Sequence, residues 1–129
     1  MSFLDKFRHW KDVEEFEPGV VIFSKGEPAD FVYVILAGEV ELSLHGEPLS
    51  AEGEGNIIGE MAMIESATRN ATAIARTHVA LAKLDRQQFQ KMASESPEFS
   101  LRAMAVLANR LRAVDQFIIL QLDQQATVK

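Results

Sequence analysis

The chain has 129 residues, with 13 Lys and Arg against 19 Asp and Glu, three His and no Cys. That length fits a single domain, and a net charge of -6 argues against a general nucleic-acid binder, which needs a basic excess to hold phosphates. Without cysteine there is no disulfide framework, thiolate chemistry, zinc knuckle or iron–sulfur cluster.

Residues 3–10 place Phe3, Leu4, Phe7 and Trp10 at helical spacing, which predicts a short N-terminal helix over 3–16. Asp5, Lys6, Arg8 and His9 interrupt this stretch, so it lacks the apolar run of a signal peptide, and a cytoplasmic location is expected. All seven glycines lie between Gly19 and Gly59, which predicts a β-rich middle (17–85) between glycine-free helical ends. Val20–Phe23 and Phe31–Leu36 are β-branched and aromatic, as buried strands tend to be. The second of these lies in the longest apolar run, Phe31–Gly38, less than half of the roughly 20 residues that span a membrane. Residues 39–44 alternate, so Val40, Leu42 and Leu44 should face a core and Glu39 and Glu41 water. Ala71–Thr77 and Val79–Leu84 read as further strands. Many short strands joined by glycine turns suggest a small antiparallel barrel or sandwich.

Asp85 with Gln88 three residues on reads as a capping box, and Ser96-Pro97-Glu98 as a second helix start. These predict C-terminal helices over 86–126. Leu101, Met104, Leu107, Leu111, Val114 and Ile118 recur at three- and four-residue steps along a breaker-free stretch. A helix of about 27 residues is about 40 Å long, more than a barrel of this size covers. Part of its apolar stripe is therefore expected to meet another chain.

Between Gly26 and Ala75 nine acids surround one base, Arg69. Such an arginine is either a surface ion-pair partner or an anion ligand whose guanidinium grips two phosphate oxygens. Upstream, Gly55-Asn56-Ile57-Ile58-Gly59-Glu60-Met61-Ala62-Met63-Ile64 leads from glycines into a helix-compatible segment, a natural N–H cradle for an anion. Glu60 is ill suited to phosphate but can accept hydrogen bonds from a sugar hydroxyl. A ligand carrying both ribose and phosphate fits these groups together.

Here the sequence resembles the cyclic nucleotide-binding domains found in the catabolite activator protein, cyclic-nucleotide-dependent kinases and nucleotide-gated channels. Residues 59–64 followed by Arg69-Asn70-Ala71-Thr72 resemble the family's phosphate-binding cassette (58–72). Ile22–Asp30, Tyr33–Val40 and Leu107–Arg112 resemble its barrel and final-helix signatures, so the likeness covers about residues 15–120. It implies a mainly β fold, an antiparallel barrel or jelly roll with a short N-terminal helix, a cassette helix and a long C-terminal helix. It also implies that Glu60 binds the ribose 2′-hydroxyl and Arg69 the cyclic phosphate. Backbone groups around Ile58, Gly59, Met61 and Ala62 would close on the phosphate, with Ala71 packing beneath. Asn70 departs from the family's small residue there, either adding a hydrogen bond or crowding the pocket. Asp115, where some relatives carry a hydroxyl, is either an acceptor for a base amino group or an exposed helix charge. cAMP is the expected ligand, ahead of cGMP.

No histidine has a second within metal-ligand spacing, and neither a P-loop nor a nucleophile elbow is present, so no metal, cofactor or catalysis is expected. The expected partners are a cyclic nucleotide, a second copy bound through the C-terminal helix and a separate effector protein, but neither nucleic acid nor membrane. Because the sequence ends at Lys129 with no output domain after the helix, a stand-alone sensor is expected. The alternative is a degenerate barrel that binds no nucleotide and serves as a dimerisation or docking module.

Overall fold

A computed structural model describes residues 3–60 and 68–127. A 3-10 helix, Phe3–Phe7, opens the chain and buries both phenylalanines. Eight strands follow among the described residues: β1 (Val13–Phe16), β2 (Val21–Phe23), β3 (Val32–Ala37), β4 (Val40–Leu44), β5 (Glu47–Glu52), β6 (Ile57–Ile58), β7 (Thr72–Ala75) and β8 (Val79–Leu84). Two helices close the chain, α1 (Arg86–Glu95) and α2 (Pro97–Thr127). The strands form two four-stranded antiparallel sheets ordered β1-β8-β3-β6 and β2-β7-β4-β5, the mainly β architecture with flanking helices expected from the sequence. Among the described residues no helix is long and apolar enough to cross a membrane.

The N-terminal helix expected over 3–16 is a correction. Only Phe3–Phe7 is helical, and Val13–Phe16 is an edge strand, so the β region begins before residue 17. The reason is tertiary. Val13–Phe16 pairs residue for residue with Ala82–Val79 of β8, and Glu14 Oε1 meets Lys83 Nζ at 2.7 Å across that pairing. A strand edge with unsatisfied backbone groups outweighs the weak helical preference of a four-residue segment.

β3 is buried on both faces, which explains its continuous apolar run. Val32 and Val34 face one core with Phe3, Phe7, Leu84, Phe99, Ala103 and Val106; this core joins the first sheet to the helices. Tyr33 and Ile35 face a second core between the sheets, with Phe23, Leu42, Ile58, Ala73 and Leu81. In β4 the expected alternation holds at Val40 and Leu42, but the register shifts after Leu42, so Ser43 is buried and Leu44 only half-buried.

Both helix starts read from the sequence are present. Gln88 N donates to Asp85 Oδ1 at 2.8 Å and Asp85 N to Gln88 Oε1 at 2.9 Å, completing the capping box. Ser96 Oγ accepts from Phe99 N at 3.2 Å at the start of α2. The face of α2 that meets the barrel is Phe99, Ala103 and Val106, spaced i, i+4, i+7, rather than the leucine-rich stripe. Leu101, Met104, Leu111 and Ile118 of that stripe are each half or more exposed. The ring of Phe99 takes the buried position between the 3-10 helix and α1, stacked on Phe3 and edge-on to Phe89.

Candidate functional site

β6 leaves the barrel at Ile58, buried and paired with Tyr33, and runs into Gly59 and Glu60. Gly59 has φ +78°, and a Cβ there would lie 2.5 Å from Arg69 Nη1, so both the turn and the arginine require glycine. Glu60, 1% exposed, is with Arg69 one of two charged side chains buried in the interior among the described residues. Nine residues later the chain returns with Arg69, also buried at 6% exposed.

The Arg69 main chain is fixed to the β2–β3 connection: its N–H donates to Glu27 O and its carbonyl accepts from Gly26 N, both at 2.8 Å. Its side chain turns inward. Nη2 donates to Phe31 O at 2.7 Å, and Nη1 makes a long contact of 3.5 Å with Gly59 O. The guanidinium lies over the Phe23 ring, 4.2 Å from its centroid, with the Tyr33 ring centroid 5.6 Å away. Phe23 and Tyr33 are themselves stacked, 6.1 Å apart and 17° from parallel. Nε is buried with no hydrogen-bond partner among the described residues. Burial pulls the guanidinium below the ordinary arginine range, opposed by Tyr33, Asp30 and Glu27. It remains a cation at any physiological pH. Burial also pushes the Tyr33 hydroxyl above its ordinary value, with Arg69 and Lys83 opposing.

The structure therefore brings Ile58, Gly59, Glu60 and Arg69 together, Gly59 being bonded to Arg69 and adjacent to Glu60. Asn70 is exposed and Ala71 half-buried, just before β7. Met61, Ala62 and the expected cassette helix lie outside the described residues. Asp115 is exposed on α2, beyond Val106, the last core residue among the described side chains of that helix. Sequence reasoning missed Phe23, Tyr33 and the Phe31 carbonyl. The signal available for the first two was an aromatic on each of two strands flanking the proposed cation, but backbone carbonyls carry no residue identity at all. It also missed Arg102, whose Nη1 lies 3.4 Å from Gly55 O and whose guanidinium covers Phe3 at 4.3 Å. Arg102, Asn56, Leu101, Val106 and Asn109 border a groove of about 550 Å³ beside α2; none of the groups around Arg69 lines it.

The family of cyclic nucleotide-binding domains matches residues 13–96, well over half of the chain. A CRP-like cAMP-activated global transcriptional regulator of Mycobacterium tuberculosis is 29% identical over 103 residues, covering 76% of this chain and 46% of the regulator. A cAMP-dependent protein kinase regulatory subunit of Debaryomyces hansenii is 36% identical over 84 residues, covering 64% of this chain and 19% of the subunit. The crystal structure of Thermus thermophilus catabolite activator protein superposes with a TM-score of 0.72 at 26% identity, covering 95% of this chain and 58% of that one. The chain spans less than half the length of the two curated relatives.

Proposed function

The chain belongs to the cyclic nucleotide-binding domain family, and from that membership we propose that it is a non-catalytic sensor for a 3′,5′-cyclic nucleotide, cAMP ahead of cGMP. The observation that carries this reading is Arg69: a buried guanidinium whose outer nitrogens are held by Phe31 and Gly59 carbonyls while Nε has no partner among the described residues. A buried N–H of a cation without an acceptor costs on the order of 1–3 kcal/mol, and an oxyanion removes that cost. Glu60, buried one residue beyond Gly59, serves the ribose hydroxyl, since a carboxylate accepts hydrogen bonds and repels phosphate. In this reading Asn70 and Ala71 border the phosphate, and Asp115 is an acceptor for a base amino group.

Ligand binding is then coupled to α2. That helix has 31 residues, yet among its described side chains Val106 is the last in the core, and Leu111, Ile118, Ile119, Leu120 and Leu122 are exposed. A second copy covering this face makes the chain a dimer whose geometry the ligand adjusts, with the signal passed to a separate effector. Acidity concentrated in residues 1–85, seven bases against fifteen acids, favours a small anion bound at one cation over a polyphosphate backbone.

Calorimetric titration with cAMP and cGMP tests the ligand. Binding should be micromolar or tighter, and Arg69→Ala should lose about 2–5 kcal/mol, a weakening of roughly 30-fold to several thousand-fold. A folded protein that takes up neither nucleotide points instead to a docking module. For the helix, sedimentation of Leu111→Glu should show a mass reduced from dimer to monomer; an unchanged mass refutes association through α2.

A further inference from the structure

An arginine that waits for an anion must be kept in place before the anion arrives. Its flexible side chain otherwise loses rotamer freedom at the moment of binding, and that loss weakens affinity. Arg69 is held on two kinds of support. The carbonyls of Phe31 and Gly59 take its terminal nitrogens, and the flat face of the guanidinium rests on Phe23 at 4.2 Å, with Tyr33 alongside at 5.6 Å. The two rings come from different sheets, Phe23 from β2 and Tyr33 from β3, and stack within 17° of parallel in the core between them. A ring that contacts the face of the cation leaves its edge, where Nε lies, available to an acceptor. Ring and ligand therefore do not compete.

Resting on the cyclic-nucleotide reading, we infer that Phe23, flanked by Tyr33, is a positioning residue for the ligand: an aromatic shelf that fixes Arg69 by cation–π attraction so that Nε is presented to the phosphate. Its role depends on the π-electron density of the ring as well as on its volume. A buried apolar side chain serving only as core would depend on volume alone.

Stepwise fluorination of Phe23 (4-fluoro, 3,5-difluoro, 3,4,5-trifluorophenylalanine) withdraws that density and nearly preserves shape. The dissociation constant for cAMP should rise with each fluorine, reaching about tenfold at trifluoro, within the range of a desolvated cation–π contact. Phe23→Leu should lose at least as much, and Phe23→Tyr should recover to within about threefold. Phe3 supplies the matching control, because it carries Arg102 at 4.3 Å outside the proposed site. Trifluorination there should lower the melting temperature and leave the dissociation constant within about twofold of wild type, a limit set by additivity between separate sites. In ligand-free protein, side-chain NMR signals of Arg69 should show the ring-current shift of Phe23 and lose it in Phe23→Leu. Wild type that binds cAMP equally well across the fluorinated series overturns the shelf and leaves the ligand reading intact. Arg69 signals unchanged by Phe23→Leu overturn it whatever the nucleotide result. Wild type that binds neither cAMP nor cGMP overturns the ligand reading and this inference with it.

Discussion

Two arginines in this molecule are held in nearly the same way in very different places. Arg69 lies over Phe23 at 4.2 Å and contacts the carbonyl of Gly59; Arg102 lies over Phe3 at 4.3 Å and contacts the carbonyl of Gly55. Each has a buried Nε without a partner among the described residues. Each glycine has a positive φ, +78° and +83°, and a Cβ on either would press on the arginine, at 2.5 and 3.0 Å. The surroundings differ. Arg69 has a second, shorter bond to Phe31 O, a second ring, and a buried carboxylate one residue past its glycine. Arg102 is only partly buried and joins the 3-10 helix, the turn before β6 and α2. The same local physics holds the proposed phosphate ligand inside the barrel and a clamp on the helix. What surrounds an arginine, more than how it is held, decides its role.

That contrast can be broken most sharply by removing each side chain in turn. Arg69→Ala is expected to cost about 2–5 kcal/mol of cyclic nucleotide affinity. Arg102→Ala is expected to leave affinity nearly unchanged and to cost about 1–2 kcal/mol of stability through lost packing and cation–π contact, a fall of ~4–7 °C in melting temperature. Equal losses of affinity in calorimetry would erase the distinction. The glycines give a finer comparison. Gly59→Ala should weaken binding by about tenfold, or ~1.4 kcal/mol, because Arg69 must give way. Gly55→Ala should mainly destabilise, by about 1–2 kcal/mol from the left-handed backbone.

The smallest effect concerns pH. Lys83 is raised above its ordinary value chiefly by its hydrogen bond to Glu14, and Tyr33 is raised chiefly by burial. Both folded values exceed the unfolded ones, so their contribution is fully present below about pH 10 and is lost as pH climbs through the folded values. Denaturant titrations should therefore give flat stability from about pH 7 to 9 and a decline above about pH 10. Lys83→Met should flatten part of that decline. A slope in the opposite direction would contradict the Lys83–Glu14 pairing that ties β1 to β8.

The amphipathic and capping signals were readable because they are local. β3, β4 and β8 follow from apolar runs and alternation, and both helix starts from side chains that bond backbone groups three residues away. β1, β5 and β6 were not readable. Val13–Phe16 is a strand because β8 offers it an edge, Glu47–Glu52 contains Pro48 and has no clear alternation, and Ile57–Ile58 is too short for any period. In α2 the periodicity indicated an apolar face, but Phe99, Ala103 and Val106 meet the barrel while Leu101, Met104 and Leu111 are exposed.

By itself the sequence determined the fold class, the positions of Glu60 and Arg69 and the family to which they belong, because ordered motifs and charge isolation are properties of the chain. Only the tertiary structure decided that Arg69 is buried, that carbonyls of β3's approach and β6's exit hold it, and that rings from opposite sheets meet beneath it. Those contacts join residues 10 to 46 positions apart through backbone oxygens and ring faces. Neither has a sequence signature until the sheets close on one another.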